Sequence, residues 1–353
     1  MTRAADIRET PLGGSAPVPT VSISVVIPTC GREQVLLDTV ESVLRLGALL
    51  REFSELLVID QSASHTHAVS SQLADWDAAG DIRWIRLAAP NLTQAMNVGL
   101  LRACSEIVLF LDDDVVPDPG LLASHVEAHS RQPAPAVVVG QVLQPGEVAV
   151  EAQYRPTGGP LRRFLDFPFN STAGCHVENA MAGNLSVRRT TALAVGGFDT
   201  RFTPPVASRF ETEFAKRAIA HGERIWFEPS ATVRHLRAPA GGTRLLGSHL
   251  SSSLPCFGMG DYYYALRIGR GLERLLFIAR RPFREVRTRF HLKHPWFIPV
   301  KLIGEVRALT AAVRAYRSGP QMLTGEAAAA PPPGNALPPR AGSEAGESGR
   351  VSS

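Results

Sequence analysis

The sequence predicts an α/β fold in which a mostly parallel sheet is flanked by helices on both faces. Apolar, strand-like segments alternate with amphipathic segments over residues 21–111, and no apolar run reaches the roughly 18 residues that cross a bilayer. The clearest strand is residues 107–111, five apolar residues that run directly into Asp112, Asp113 and Asp114. Such a run is typical of a strand buried on both faces.

Composition indicates a folded protein with one unusually basic segment. The 353 residues are 44% hydrophobic and 20% charged, and the net charge is +4. Residues 261–317 contain 13 Lys and Arg against 4 Asp and Glu, which gives this segment a charge of +9. The four cysteines are far apart and form no Cys-x-x-Cys pair, which favours a reducing cytoplasm over a disulfide framework or a zinc site.

The first four strands and the helices between them follow in strict alternation. The predicted strands are residues 21–27, 56–59, 82–87 and 107–111, and Thr93 is the predicted N-cap of the third helix. Strands that alternate with helices pair in parallel, because the helix carries the chain back across the sheet.

The chain beyond the acidic run continues this pattern less regularly. Residues 121–130 predict a helix, on which we expect His125 and His129 to lie on an exposed face because the HExxH metal pattern is absent. Residues 137–143 predict a further strand. Residues 145–178 show little periodicity and are interpreted as loops over a cleft.

A further helix begins at Phe210, with Glu211 and Glu213 in its first turn, where acidic side chains suit the helix dipole. Residues 225–227 and 231–235 then predict two short strands. The two glutamates matter below because both could accept a proton.

Polar side chains follow three of the predicted strands. Thr29 and Arg32 follow the first, Asp60 the second and Asp112–Asp114 the fourth, and open α/β sheets bind ligands at this edge. Adjacent carboxylates repel one another unless a cation neutralises them, so we expect a divalent cation bound with phosphates, and Arg32 as a phosphate contact. The alternative is a solvated acidic turn. The GxGxxG and Walker patterns are absent, which favours a nucleoside diphosphate over a dinucleotide.

Six short segments occur in a fixed order along the chain: Ser24–Thr29, Val58–Ser62, Thr93–Gly99, Phe110–Asp114, Gly183–Arg189 and Gly196–Asp199. Each is modest alone, but in this order they resemble the family 2 glycosyltransferases, which have the GT-A fold. The resemblance extends from about residue 22 to residue 235, about 60% of the chain.

The resemblance implies a role for individual residues. A nucleotide sugar would be bound by Pro28, Thr29, Arg32, Asp60, Gln94, Asn97, Asp112 and Asp113. Asn97 would lie near the diphosphate, and Asp112 would contact the ribose or base. Asp114 and His235 would bind Mn²⁺ or Mg²⁺, while Gly183 and Asn184 would shape the acceptor pocket.

The resemblance also implies inverting sugar transfer with a carboxylate as general base. The family usually has an aspartate in a Glu-Asp pair at this place, whereas this chain has Phe210-Glu211. Glu211 can still accept a proton, although its reach differs by about one bond length. Glu213 is the alternative base. Met96 replaces a frequent arginine and removes one phosphate contact.

Two other functions remain open. A nucleotide-sugar-binding protein without turnover is suggested by the Phe210-Glu211 departure. A sugar-nucleotide pyrophosphorylase would show a Gly-rich, Arg-containing loop after the first strand, and residues 28–32 are not such a loop. No nucleic-acid-binding motif accompanies the arginines, so no nucleic acid is expected as a partner.

The predicted organisation is a disordered leader (1–20), a GT-A domain (21–240, with a nucleotide-binding half 21–120 and an acceptor half 121–240), a basic helical extension (241–318) and a disordered tail (319–353). The last helix carries an apolar stripe of Leu302, Val306, Leu309, Val313 and Tyr316, with Lys301 and Arg307 off it.

Two interpretations of residues 261–317 stay open. The segment contacts an anionic membrane surface, which would place the protein peripherally on the cytoplasmic face near a lipid-linked or saccharide acceptor. Alternatively it is an ordinary extension that packs on the main domain and leaves its basic face in water.

Overall fold

The computed structural model describes residues 21–155, 161, 167–202, 208–242 and 247–324. The leader and residues 325–353 of the predicted tail lie outside this part of the chain. The strands are β1 Ile23–Thr29, β2 Phe53–Asp60, β3 Arg83–Arg86, β4 Ile107–Leu111, β5 Val115–Pro117, β6 Val137–Leu143, β7 Cys175–Val177, β8 Asn184–Arg188 and β9 Ile225–His235. The helices are α1 Gln34–Ala48, α2 His67–Ala79, α3 Leu92–Arg102, α4 Leu121–Ser130, α5 Arg189–Ala194, α6 Phe210–Ala220, α7 Cys256–Ile268, α8 Gly271–Val286, α9 Arg289–Lys293 and α10 Phe297–Arg317.

One nine-stranded sheet organises the described chain, in the order β3-β2-β1-β4-β8-β6-β9-β5, with β7 paired to β9. Strands β3, β2, β1 and β4 pair in parallel, as predicted for the first half. Strand β8 runs antiparallel to both β4 and β6, and β6 is parallel to β9. The β-α alternation of the first half therefore gives the predicted α/β sheet.

Helices cover both faces of the sheet. Val26 of β1 packs in the hydrophobic cluster that contains Met96 of α3, whereas Val25 packs in the cluster that contains Leu36 of α1 and Leu121 of α4. Successive side chains of a strand point to opposite faces, so these two clusters lie on opposite sides of the sheet.

Three local predictions are corrected by the structure. The N-cap of α3 is Asn91, whose side chain accepts a hydrogen bond from the Gln94 amide, and not Thr93. The two short strands predicted at 225–235 form the single strand β9. Its pairing with β6 shifts register after Gly140, and this irregularity interrupts the alternation in the sequence. The predicted loops 145–178 include strand β7.

His125 and His129 of α4 are fully buried, which contradicts the prediction of an exposed face. Ser186 Oγ of β8 lies 2.8 Å from His125 Nδ1 and 2.8 Å from His129 Nε2. His125 Nε2 also lies 2.8 Å from Asn184 Oδ1. Burial lowers the pKa of His125 to about 4 and that of His129 to about 3, so both rings are neutral and their polar atoms are used inside the core.

The segment after residue 240 shares the core of the main domain. Tyr262–Tyr264 of α7 are buried in the same hydrophobic cluster as Phe198, and Tyr263 donates a 2.7 Å hydrogen bond to Asp199. Beyond α10, the Leu323 amide donates to the Gly196 carbonyl at 2.9 Å. The predicted boundaries at 240 and 318 are therefore not boundaries of the packed core.

Helix α10 packs on α7 with a face other than its apolar stripe. Leu302, Val306 and Tyr316 are exposed, whereas Lys301 and Glu305 are buried and lie 3.2 Å apart. The interpretation in which the apolar stripe packs and the basic face is solvated is thus wrong for this helix. Among the described helices, none has both the length and the apolar content that crossing a membrane requires.

Candidate active site

Strand register brings three predicted side chains together. Asp112 follows the last residue of β4, and Leu111 pairs with Asn184 of β8, so Gly183 lies beside Asp112. A Cβ on Gly183 would lie 2.3 Å from Asp112 Oδ2, so only glycine leaves room for this carboxylate. Val115 of β5 pairs with His235 of β9, which places His235 beside Asp114.

Asp112, Asp114 and His235, hereafter the ligand triad, offer three donor atoms within 4.8 Å of one another. His235 Nε2 lies 3.0 Å from Asp114 Oδ1 and 3.9 Å from Asp112 Oδ2. Its Nδ1 lies 2.9 Å from Gln144 Oε1, which can only accept, so Nδ1 carries a proton.

The electrostatics of the triad suit a cation. A neutral imidazole with its proton on Nδ1 presents a lone pair from Nε2 to the Asp114 carboxylate, which is unfavourable unless a proton or a cation lies between them. Two carboxylates and an imidazole held by a second-shell amide are also a common donor set for divalent metals. The residues present therefore fit a divalent cation.

Asp113 and Arg32 form the floor beneath the triad. Arg32 is buried, and its guanidinium binds Asp113 at 3.2 Å, Asp114 at 3.1 Å and the backbone oxygens of Ala238 and Ala240. Burial raises the pKa of Asp113 to about 6, although Arg32 and a 2.7 Å bond from Thr29 Oγ1 oppose this. Arg32 thus neutralises the acidic run, a different role from the predicted phosphate contact.

The first cavity, of about 170 Å³, lies over this floor. The predicted residues that line it are Pro28, Thr29, Arg32, Asp112, Asp113, Asp114 and His235. Gln61, Asn91 and Gly242 also line it and were not predicted. Gln61 directly follows β2, so the rule that ligands bind at the carboxyl ends of parallel strands could have found it.

Four predicted contacts do not line this cavity. Asp60 is buried, and it accepts hydrogen bonds from the Ser62 amide at 2.8 Å and from Trp84 Nε1 at 3.1 Å. Asn97 is buried and exchanges both side-chain bonds with the Phe198 backbone. Gln94 is exposed at the start of α3.

Asn184, predicted at the acceptor, is also placed elsewhere. Its side chain is fully buried, and Nδ2 donates to the carbonyls of Gln141 at 3.1 Å and Ala231 at 2.8 Å. Its Oδ1 faces His125. Asn184 therefore ties β8 to its neighbours and does not face an open pocket.

A second cavity of about 330 Å³ contains Glu211, Arg209, Asn179 and Gln144 in its lining. The hydrogen bond between Gln144 and His235 joins it to the first cavity, which His235 lines. Glu211 Oε2 and Asn179 Oδ1 are both buried and have no hydrogen-bond partner among the described residues. Two unpaired acceptors that line one cavity indicate a place for a ligand with hydroxyl donors.

The electrostatic environment of Glu211 disfavours its charge. Burial, together with the charges of Asp112 and Asp261, raises its pKa to about 7, although Arg209 opposes the shift. Arg209 precedes α6 with φ of 72°, a left-handed conformation rare for a side-chain-bearing residue. Its Nε binds Asp261 of α7 at 2.9 Å, which holds this turn in place.

Glu213, the alternative base, is fully buried and does not line the cavity. Arg217 Nε contacts both of its carboxylate oxygens, at 3.0 and 2.9 Å, and Arg267 Nη2 lies 3.4 Å from Oε1. These arginines occupy the carboxylate, so the geometry separates the two glutamates.

Residues 24–189 match the model of glycosyl transferase family 2. The chain is a family 2 glycosyltransferase. A glucosyl-dolichyl phosphate glucuronosyltransferase of Haloferax volcanii is 25% identical to this glycosyltransferase over 231 residues, which are 61% of this chain and 69% of the relative. The resemblance noted in the sequence is thus confirmed.

Two crystal structures have a similar fold. GalNAc-T7 with UDP, GalNAc and Mn²⁺ aligns with a TM-score of 0.54 and 15% identity, over 84% of this chain and 55% of that one. Residues 1–349 of S. aureus TarS with UDP-GlcNAc align with a TM-score of 0.50 and 13% identity, over 84% and 92%. This glycosyltransferase spans little more than half of the GalNAc-T7 chain. At these identities the likeness concerns the fold, and the predicted GT-A fold is confirmed.

Proposed function

We propose that this glycosyltransferase transfers a sugar from a nucleotide-diphosphate sugar to an acceptor hydroxyl with inversion, and that Glu211 is the general base. The observation that carries the proposal is the unpaired Oε2 of Glu211 in a cavity joined to the ligand triad through Gln144 and His235. Nucleotide sugar and acceptor would thus occupy adjoining cavities.

The donor would lie in the first cavity, with its diphosphate toward the ligand triad. A divalent cation, Mn²⁺ or Mg²⁺, bound by Asp112, Asp114 and His235 would neutralise the charge that the leaving diphosphate gains. Gln144 keeps the His235 ring oriented and its Nε2 directed at the aspartates. The nucleoside would extend along Thr29 and Gln61.

The acceptor would lie in the second cavity. Its hydroxyl oxygen forms a bond to the anomeric carbon while the bond from that carbon to the diphosphate oxygen breaks on the opposite face, which inverts the configuration. The hydroxyl proton passes to Glu211 Oε2. A general base is most effective with a pKa near the working pH, which the value of about 7 for Glu211 satisfies.

Asn179 replaces Asn184 as the proposed acceptor contact. Its Oδ1 is buried in the lining of the same cavity and lacks a partner among the described residues. A second hydroxyl of a saccharide acceptor would satisfy it. Arg209 holds the turn before Glu211 through Asp261, so it acts on the position of the base.

The test is a screen of nucleotide sugars with Mn²⁺ or Mg²⁺, with free nucleoside diphosphate as the readout. We expect one donor to release nucleoside diphosphate, a chelator to stop the release, and Glu211→Gln to bind the donor without turnover. The matched control is Glu127→Gln, which changes an exposed carboxylate on α4. NMR of the first product should show the inverted anomeric configuration.

The screen also distinguishes the alternatives. A non-catalytic binding protein would be stabilised by a nucleotide sugar and release nothing. A pyrophosphorylase would consume pyrophosphate and produce nucleoside triphosphate and sugar 1-phosphate. Either result would contradict the proposal, as would a product that retains the donor's configuration.

A further inference from the structure

Helix α8 turns its apolar side away from the protein. Leu272, Leu275, Leu276, Ala279 and Phe283, hereafter the outward stripe, follow the spacing of one helix face. Leu272 is 70% exposed and Phe283 is 69% exposed. Burial of a leucine or phenylalanine side chain stabilises a protein by about 1.5–3 kcal/mol, so an isolated helix of this sequence would pack with the opposite orientation.

Buried ion pairs hold the helix in this orientation. Arg281, which lies opposite the outward stripe, is 2% exposed and contacts Asp261 of α7 at 2.9 Å and Glu305 of α10. Lys301 of α10 contacts Glu285 of α8 at 3.6 Å. Rotation of α8 to bury its leucines would leave these charges buried and unpaired, which costs far more than the apolar contacts would return.

Neighbouring elements add further exposed apolar groups. Leu292 of α9 and Trp296 before α10 are 81% and 63% exposed, and Ile303 and Val306 of α10 are exposed as well. Exposed apolar side chains concentrated in consecutive elements mark an interaction surface more often than an ordinary water-facing surface.

The charge distribution of the same segment selects the partner. Within residues 261–317, nine Lys and Arg are exposed and no Asp or Glu is. The four acidic residues of the segment are used inward, as with Asp261 and Glu305 around Arg281. Arg280, Arg284 and Arg287 are exposed alongside the outward stripe. A second copy of this surface would bring like charges together, whereas anionic headgroups would complement them.

We propose that α8, with Leu292 and Trp296, lies in the interface of an anionic lipid bilayer. The outward stripe enters the boundary between headgroups and acyl chains, and the exposed arginines bind lipid phosphates. The protein attaches peripherally, since α8 lies along the surface. This goes beyond the sugar transfer proposed above and does not depend on it, because binding to lipid is measured without a sugar donor.

The surface is also linked to the acceptor cavity. Asp261 binds Arg281 of α8 on one side and Arg209, two residues before Glu211, on the other. One carboxylate thus connects the membrane helix to the turn that carries the base. This connection rests on the proposed function, and it fits an acceptor sugar carried by a lipid.

The test is flotation of the full chain with vesicles of phosphatidylcholine alone or with 30% phosphatidylglycerol. We expect flotation with the anionic vesicles at low salt, and loss of at least tenfold in partitioning for the double variant Leu275→Gln/Phe283→Gln. The matched control is Leu49→Gln, which changes an equally exposed leucine at the end of α1. Arg280→Glu/Arg284→Glu should abolish the preference for anionic vesicles.

Unchanged melting temperatures would show that the variants are folded, since all four positions are exposed. Failure of the wild-type chain to float at low salt would overturn the proposal, as would flotation of Leu275→Gln/Phe283→Gln equal to wild type. Sedimentation is measured in parallel: a wild-type dimer that Phe283→Gln dissociates would show that a second copy covers the stripe. Sugar transfer without lipid binding would overturn this inference and leave the proposed function intact.

Discussion

Replacing Glu211 with glutamine should stabilise the protein at alkaline pH while it removes activity. The wild-type carboxyl has a pKa raised to about 7, chiefly because it is buried, from an ordinary value of 4.5. Glutamine occupies nearly the same volume and has no ionisation to pay for. The variant therefore removes a destabilising charge from the folded protein.

The magnitude and sign follow from linkage. Below pH 4.5 the carboxyl is protonated in both the folded and the unfolded chain, so its ionisation costs no stability. As the pH rises from 4.5 to about 7, the unfolded chain loses this proton first, and the folded protein loses stability relative to it. Each pH unit corresponds to about 1.4 kcal/mol, so the full cost above pH 7 is about 3 kcal/mol.

The assay is thermal or urea unfolding of wild type and Glu211→Gln at several pH values between 5 and 8. The variant should gain about 3 kcal/mol at pH 8 and no more than about 1 kcal/mol at pH 5, or about 5 °C in Tm at the alkaline end. Glu213→Gln is the internal control, because it weakens the ion pairs with Arg217 and Arg267 and should destabilise at every pH. A gain for Glu211→Gln that is independent of pH would refute the reasoning.

Three further predictions concern the surroundings of the site. His235→Ala should weaken Mn²⁺ binding by about tenfold or more in calorimetry, because one of three candidate ligands is lost; unchanged affinity would exclude His235 as a ligand. Gly183→Ala should lower turnover at least about tenfold with little change in Tm, because its Cβ would displace the Asp112 carboxylate 2.3 Å away; full activity would contradict this. Ser186→Ala should destabilise by about 2 kcal/mol in urea unfolding, because it leaves nitrogens of two buried histidines unpaired; a neutral effect would contradict it.

The fold and the acidic end of β4 could be predicted from sequence because both have local signals. A buried strand is a continuous apolar run, and the end of a parallel strand marks the ligand edge. Asp112 and Asp114 are at that edge in the structure, and His235 joins them through the pairing of β5 with β9. Segment order supplied the expectation for His235, since nothing near it in the sequence indicates a ligand.

The errors arise where a polar side chain has a distant partner. Asp60 and Asn97 have the right types and follow the right segments, yet they bond to loop backbones and to Trp84. His125 and His129 have the spacing of an exposed face, but their shared partner Ser186 lies about 60 residues further on. A local pattern shows that a residue is polar and not where its partner is.

Helix α8 shows the same limit in reverse. Its apolar periodicity is clear in the sequence, and packing would ordinarily bury that face. The buried charge network around Arg281 reverses the orientation, and its members come from α7, α8 and α10. The outward stripe is therefore a property of the assembled helices.

The central claim is that Glu211 takes the acceptor's proton. It is tested most directly by measuring donor affinity and sugar transfer for the same Glu211→Gln preparation, once the donor is identified. We predict donor affinity within about threefold of wild type and transfer reduced by about 10²–10⁴-fold. Transfer within tenfold of wild type, with donor affinity unchanged, would contradict the assignment.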